Sequence, residues 1–304
     1  MERSAAKAMP AKIEIRNLSR TYKKRGSRSE LFYALRDFSL SINEGEFVTI
    51  VGPSGCGKST LLDTLVGLSK PSAGEVLIDG KALKGPSLDR GIVLQGYALF
   101  PWRTVRRNIE YGLEIKGAPR RERAEIAQSY IKLVDLVGFE DHYPYELSGG
   151  MQQRVAIARI LAYDPEVLLM DEPFAAVDAQ TRETMQDELL SIWEKTGKTI
   201  IFVTHSIEEA VGLADRVAVI SRAPGSVREV VDVSLPRPRR ISDVRNTPDF
   251  ALLHRHIWEL LQRAGETPAE PPGGGAQGAD GEGGAGGAGG AESVGDKILP
   301  DTVI

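Results

Sequence analysis

Apolar residues in this chain alternate with polar ones near the start, run in short solid blocks further on, and recur at helical spacing between the blocks. Ile13 and Ile15 alternate with polar neighbours over residues 12–18, which predicts a first strand after a loose leader at 1–11. A turn at Ser19-Arg20 is then expected before Tyr22, and the basic, polar stretch Lys23 to Glu30 reads as an exposed hairpin loop. Leu35, Phe38, Leu40 and Ile42 mark a second strand over 34–42. Asn43-Glu44-Gly45 turns the chain into the strand-like block Phe47-Val48-Thr49-Ile50-Val51. Leu61, Leu62, Leu65 and Leu68 then fall on one helical face over 58–68. Further strands are expected at 75–78 and 91–95.

Between residues 96 and 163 the period is helical and no good strand pattern occurs. Val105, Ile109 and Leu113 share a face, and Pro119 opens a longer helix expected to run through Val137 with Gly138 just past its end. Strand blocks return at 166–170, 199–203, 216–220 and 227–233. They are separated by a helix at 180–193 and a short helix capped by Ser206. Pro236 to Arg240 reads as a linker, and Phe250, Leu253, Ile257 and Leu260 mark a last amphipathic helix at 248–263. From Gly265 the chain is rich in Gly, Ala, Pro and Glu and is expected to be disordered, ending in a short apolar tip at 298–304. Solid apolar strands alternating with helices predict an α/β fold with a mainly parallel sheet covered on both faces.

Composition narrows the function classes. The 304 residues carry a net charge of −4, so no overall basic signature points to nucleic acid. The single cysteine, Cys56, excludes an internal disulfide and favours a reducing compartment. No apolar run approaches the ~18 residues of a membrane span, and residues 1–12 have no apolar core of a secretory signal. A cytosolic chain, peripheral to a membrane at most, is expected.

The strongest chemical signal is Gly52-Pro53-Ser54-Gly55-Cys56-Gly57-Lys58-Ser59-Thr60, between an apolar strand and a helix start. Glycines there let the backbone turn and aim its N–H groups at an anion, and the helix end adds positive charge. In such a loop Lys58 reaches the β- and γ-phosphates of a nucleotide and Ser59 sits on Mg²⁺. Asp171 ends an apolar strand downstream, where phosphate-loop ATPases hold Mg²⁺. Glu172 follows, on the opposite side if strand pairing continues through it, as a carboxylate able to polarise a water. A second phosphate-seeking helix start lies at Leu147-Ser148-Gly149-Gly150-Met151-Gln152, with a hydroxyl cap and bare backbone N–H groups. Two such helix ends would crowd one nucleotide in one subunit. Two copies placed head to tail would instead sandwich each ATP between Gly52–Thr60 of one and Ser148-Gly149-Gly150 of the other.

These residues resemble the nucleotide-binding subunit of an ATP-binding-cassette (ABC) transporter over about residues 12–235, with Leu147 to Gln152 matching the family signature. The resemblance implies a phosphate-loop ATPase with a RecA-like core, an antiparallel β subdomain and a helical insertion. It implies that Tyr22 stacks on adenine, that Gln95 contacts Mg²⁺ and the lytic water, and that Glu172 is the catalytic base. It further implies that Asp178 communicates across the dimer and that His205 is the switch histidine on the γ-phosphate. Leu99 to Asn108, Asp171 to Arg182 and Phe202 to Gly225 are similar to importer subunits for nitrate, sulfonate and taurine, with Gly212 standing where a bulkier residue is usual. The implied partners are a second copy, two membrane permease subunits and, indirectly, a periplasmic or lipid-anchored solute-binding protein, at the cytoplasmic face of the inner membrane. No nucleic acid is expected. The alternative reading is a soluble cassette ATPase of DNA repair or translation. A long coiled coil or a second cassette would be expected there, and this chain has neither pattern.

Overall fold

The computed structural model describes residues 11–23, 31–175 and 177–264. The expected leader up to residue 10, the loop at 24–30 and the Gly-rich tail lie outside the described residues. In chain order the elements are β1 (Ala11–Lys23), β2 (Leu31–Asn43), β3 (Phe47–Val51), α1 (Lys58–Val66), β4 (Ala73–Ile78), β5 (Lys81–Ala82) and β6 (Arg90–Val93). They continue with α2 (Val105–Ile115), α3 (Arg120–Leu133), α4 (Gly149–Ala162), β7 (Val167–Asp171), α5 (Ala179–Thr196) and β8 (Thr199–Thr204). The remainder is α6 (Ile207–Leu213), β9 (Arg216–Ile220), β10 (Val227–Asp232), α7 (Ile241–Val244) and α8 (Pro248–Ala264).

Two sheets form. A six-stranded sheet runs β10-β9-β3-β8-β7-β6, parallel except for β10, and an antiparallel sheet runs β2-β1-β4-β5. Every residue of β3 and β8 is buried, as expected for central strands covered on both faces. On one face Ile50, Val203 and Leu169 pack with α1 and with Ile13, Leu18 and Phe38 of the antiparallel sheet. On the other, Phe47, Phe202 and Met170 pack with α4, α5, α6 and α8. Helix α1 is therefore held between the two sheets, and the loop preceding it is fixed from both sides.

Three local expectations are corrected. The turn at Ser19-Arg20 is absent, because β1 continues through Lys23 with register shifts at 16–21. Side chains serve the irregular backbone there, with Asp37 N–H donating to Ser19 Oγ at 3.0 Å. Helix α3 stops at Leu133, four residues short. Asp135 takes a left-handed φ of 54°, and the following turn buries Leu136. Residues 236–240 are packed rather than a free linker. Arg239 is buried and donates to the carbonyls of Gly212 (2.8 Å), Leu235 (3.0 Å) and Ala214, capping the C-terminal end of α6.

Ile241 fills the space beside Gly212, where an added Cβ would meet it at 2.8 Å. This accounts for glycine at that position. Across 96–163 the described residues contain helices and turns, as the periodicity predicts.

Candidate nucleotide site

Parallel strands bring their carboxyl ends to one edge of a sheet, where ligands bind in open α/β folds. Here that edge carries the Gly52–Thr60 loop after β3, Asp171 at the end of β7, His205 after β8 and Gln95 two residues beyond β6. Gly57 caps α1 with φ 96°, and a Cβ on it would lie 2.6 Å from the Ala34 carbonyl oxygen. Only glycine fits that position, and it lets β2 close against the loop. Cys56 is fully buried, and burial pushes its thiol pKa up, so it is a packing residue and a poor nucleophile.

Lys58 is buried, and its Nζ donates to the carbonyls of Gly52 (2.8 Å) and Pro53 (3.1 Å), with Glu172 Oε1 at 4.0 Å. Ser59 Oγ donates to Asp171 Oδ2 at 3.0 Å. Burial raises the Asp171 carboxyl pKa, helped by the neighbouring Glu172 charge and opposed by the Ser59 hydrogen bond. Glu172 does not continue the strand. Its φ is 44°, its N–H donates to Val203 O at 3.0 Å, and its Oε2 lies 3.1 Å from His205 Nδ1. The left-handed backbone replaces strand alternation, so Asp171 and Glu172 both serve this edge and not opposite faces.

A cavity of about 360 Å³ lies over the loop, lined by Tyr22, Phe32, Ser54, Lys58, Thr60 and Glu172 among others. Phe32, partnered with Tyr22 across the β1–β2 ladder, is a lining residue that the sequence reading did not select. In the sequence it falls between the expected loop at 23–30 and the expected strand at 34–42, and only the ladder pairing sets it opposite Tyr22. The arrangement fits a nucleoside triphosphate: a glycine cradle, a buried ammonium and two aromatics at one end. Ser59 and Asp171 offer hard oxygen donors suited to Mg²⁺. Among the described residues no group of three metal-ligating side chains occurs.

Of the other expected residues, Ser148, Gly149, Gly150 and Asp178 sit apart. Ser148 caps α4 by accepting from Met151 N–H at 3.3 Å, and neither it, Gly149 nor Gly150 lines the phosphate cavity. Asp178 caps α5 by accepting from Thr181 N–H at 3.0 Å, a bond that lowers its pKa. Gln95 is exposed, and none of the side-chain hydrogen bonds among the described residues involves it.

Comparison with known proteins finds relatives over most of the chain. The family profile described as ABC transporter matches residues 35–175. The nitrate import ATP-binding protein NrtD of Synechocystis sp. is 46% identical over 256 residues, covering 82% of this chain and 95% of that protein. The taurine import ATP-binding protein TauB of Yersinia pseudotuberculosis is 51% identical over 228 residues, covering 74% and 89%. Among solved structures, a bacterial ABC transporter cassette in dimeric form superposes with a TM-score of 0.65 at 37% identity, covering 74% of this chain and all of that one.

Proposed function

The chain belongs to the ATP-binding-cassette transporter family, and on that premise we propose that it is the ATP-hydrolysing, energy-coupling subunit of an importer for nitrate, a sulfonate such as taurine, or a similar small solute. In this reading Lys58 and the loop N–H groups hold the phosphates, Ser59, Asp171 and Gln95 hold Mg²⁺, and Tyr22 carries the adenine. Glu172 takes the proton of the attacking water, and His205 orients the base and contacts the γ-phosphate. The 3.1 Å contact between His205 and Glu172 supports that pairing.

The observation that carries the reading is the separation of two anion-binding helix ends. The Ser148 end of α4 contributes nothing to the phosphate cavity of its own chain. It completes the site of a second copy in a head-to-tail dimer, as the dimeric form of the related cassette supports. ATP contacts both halves and favours closure, and hydrolysis removes the contacts that differ between open and closed states.

Closure must be passed to a partner. Trp102 is 72% exposed beside Phe100, which packs on Tyr111 with ring centroids 4.6 Å apart and has Arg103 and Arg159 over it. This aromatic surface on the helical segment is the docking face for permease subunits at the cytoplasmic side of the membrane. No helix among the described residues is long and apolar enough to cross a membrane, so the two permease subunits supply the channel. Purification of the tagged chain from membranes tests this: co-purification with hydrophobic subunits is expected, and its absence would sink the importer reading.

A further inference from the structure

The mechanism above uses His205 but leaves open what places it. Its side chain is 63% exposed and lies on the short connection between β8 and α6, a segment that needs fixing from elsewhere. Both neighbours of His205 are tied to one residue, Glu209. Thr204 Oγ1 donates to Glu209 Oε2 at 2.5 Å, and Ser206 Oγ accepts from Glu209 N–H at 3.3 Å. Ser206 N–H in turn donates to Thr204 Oγ1 at 3.0 Å, closing a ring around the histidine's backbone.

The same carboxylate is held from α5. Gln186 Nε2 donates to Glu209 Oε1 at 3.0 Å, and Arg182 Nε lies 4.0 Å from that oxygen. Arg182 Nη2 also donates to Val177 O at 2.8 Å, and Thr181 N–H donates to Asp178 Oδ1. Glu209 is only 8% exposed, Gln186 is buried, and the bonds join groups 23 residues apart in sequence on different helices. A buried carboxylate is costly unless paired, and here its partners all belong either to the histidine loop or to the helix that Asp178 caps.

The geometry points to Glu209 as a positioning residue that couples the Asp178 cap of α5 to His205 and so sets the histidine for hydrolysis. This deepens the proposed function and rests on the role given there to His205. The coupling element is continuous in space: Val177 to Arg182, Arg182 and Gln186 to Glu209, Glu209 to Thr204 and Ser206, and these to His205.

The test is steady-state ATP hydrolysis by the full chain, with thermal unfolding measured in parallel. Glu209→Gln keeps the shape and loses the charge. It is expected to lower kcat tenfold or more, with KM for MgATP and the unfolding temperature unchanged. In a His205→Ala background the same substitution is expected to cost no more than twofold, because Glu209 acts through that histidine; a merely structural role would cost the same factor in both backgrounds. Arg182→Met, made at a partly exposed position, goes through the same comparison and keeps the test open if Glu209→Gln fails to fold. Equal losses with and without His205, or an unchanged kcat in a folded variant, would overturn the assignment alone. A wild-type chain that hydrolyses no ATP would overturn the functional reading and the assignment together.

Discussion

Replacing Glu172 by Gln separates the chemistry of this site from its binding. The change is isosteric, so the left-handed backbone at φ 44° and the Glu172 N–H bond to Val203 O are kept. Two effects on binding act in the same direction. Glu172 Oε1 lies 4.0 Å from Lys58 Nζ, an attraction worth at most about 4 kcal/mol at an effective dielectric near 20. Losing it frees Lys58 for phosphate, and losing the carboxylate also removes repulsion of an anionic ligand, so MgATP affinity is expected to stay within about tenfold of wild type or tighten. The rate moves the other way. Loss of a general base costs roughly 10²–10⁴ in turnover. The expected result is a hydrolysis rate down by at least about a hundredfold, with MgATP-dependent dimers accumulating by light scattering. Phosphate release and calorimetric titration measure the two quantities on one sample. An unchanged rate, or a loss of affinity as large as the loss of rate, would refute the assignment of Glu172 as base.

Other expectations concern the framework. Ile241→Ala removes a buried side chain seated on Gly212 and is expected to cost about 2–5 kcal/mol, lowering the unfolding temperature by roughly 5–15 °C. In a Gly212→Ala background the same change should cost less, since the added Cβ occupies the vacated space; full additivity in calorimetry would contradict the packing account. Burial raises the Glu209 carboxyl pKa more than Thr204, Arg182, His205 and Gln186 lower it. The folded state therefore holds that proton to higher pH than the unfolded chain. The resulting stabilisation is present below the ordinary carboxylate pKa and is lost as pH rises through the raised value. Urea unfolding should show wild type gaining on Glu209→Gln as pH falls from neutral into that window, and a constant gap would contradict the burial argument.

How much of this was legible beforehand depends on the range of the interaction. The Gly52–Thr60 loop could be read because its strand, glycines, lysine and helix start are contiguous, and local geometry follows from local sequence. The solid apolar blocks of β3, β7 and β8 announced a covered parallel sheet for the same reason. The side on which Glu172 lies depended on whether strand pairing continued through it, and the ladder gives way to a turn at that residue. Arg239 was assigned to a linker because its partners, the carbonyls of 212 and 214, are set by tertiary packing and leave no pattern around Pro236 to Arg240. Glu209 read only as an acid in the first turn of a capped helix. Its link to Gln186 and Arg182 appears once α5 and α6 are packed side by side.

In the proposed dimer one chain holds half of each ATP site. Mixing two inactive variants tests it most directly: Lys58→Ala, which loses the phosphate loop, and Ser148→Glu, which places a carboxylate at the helix end that would face the partner's γ-phosphate. Each alone should hydrolyse almost nothing. Random pairing of equal amounts makes half the dimers mixed, each with one intact composite site, so the mixture should recover about a quarter of the wild-type rate. A Ser148→Glu chain that is fully active alone, or a mixture no more active than its components, would contradict a site shared between two copies.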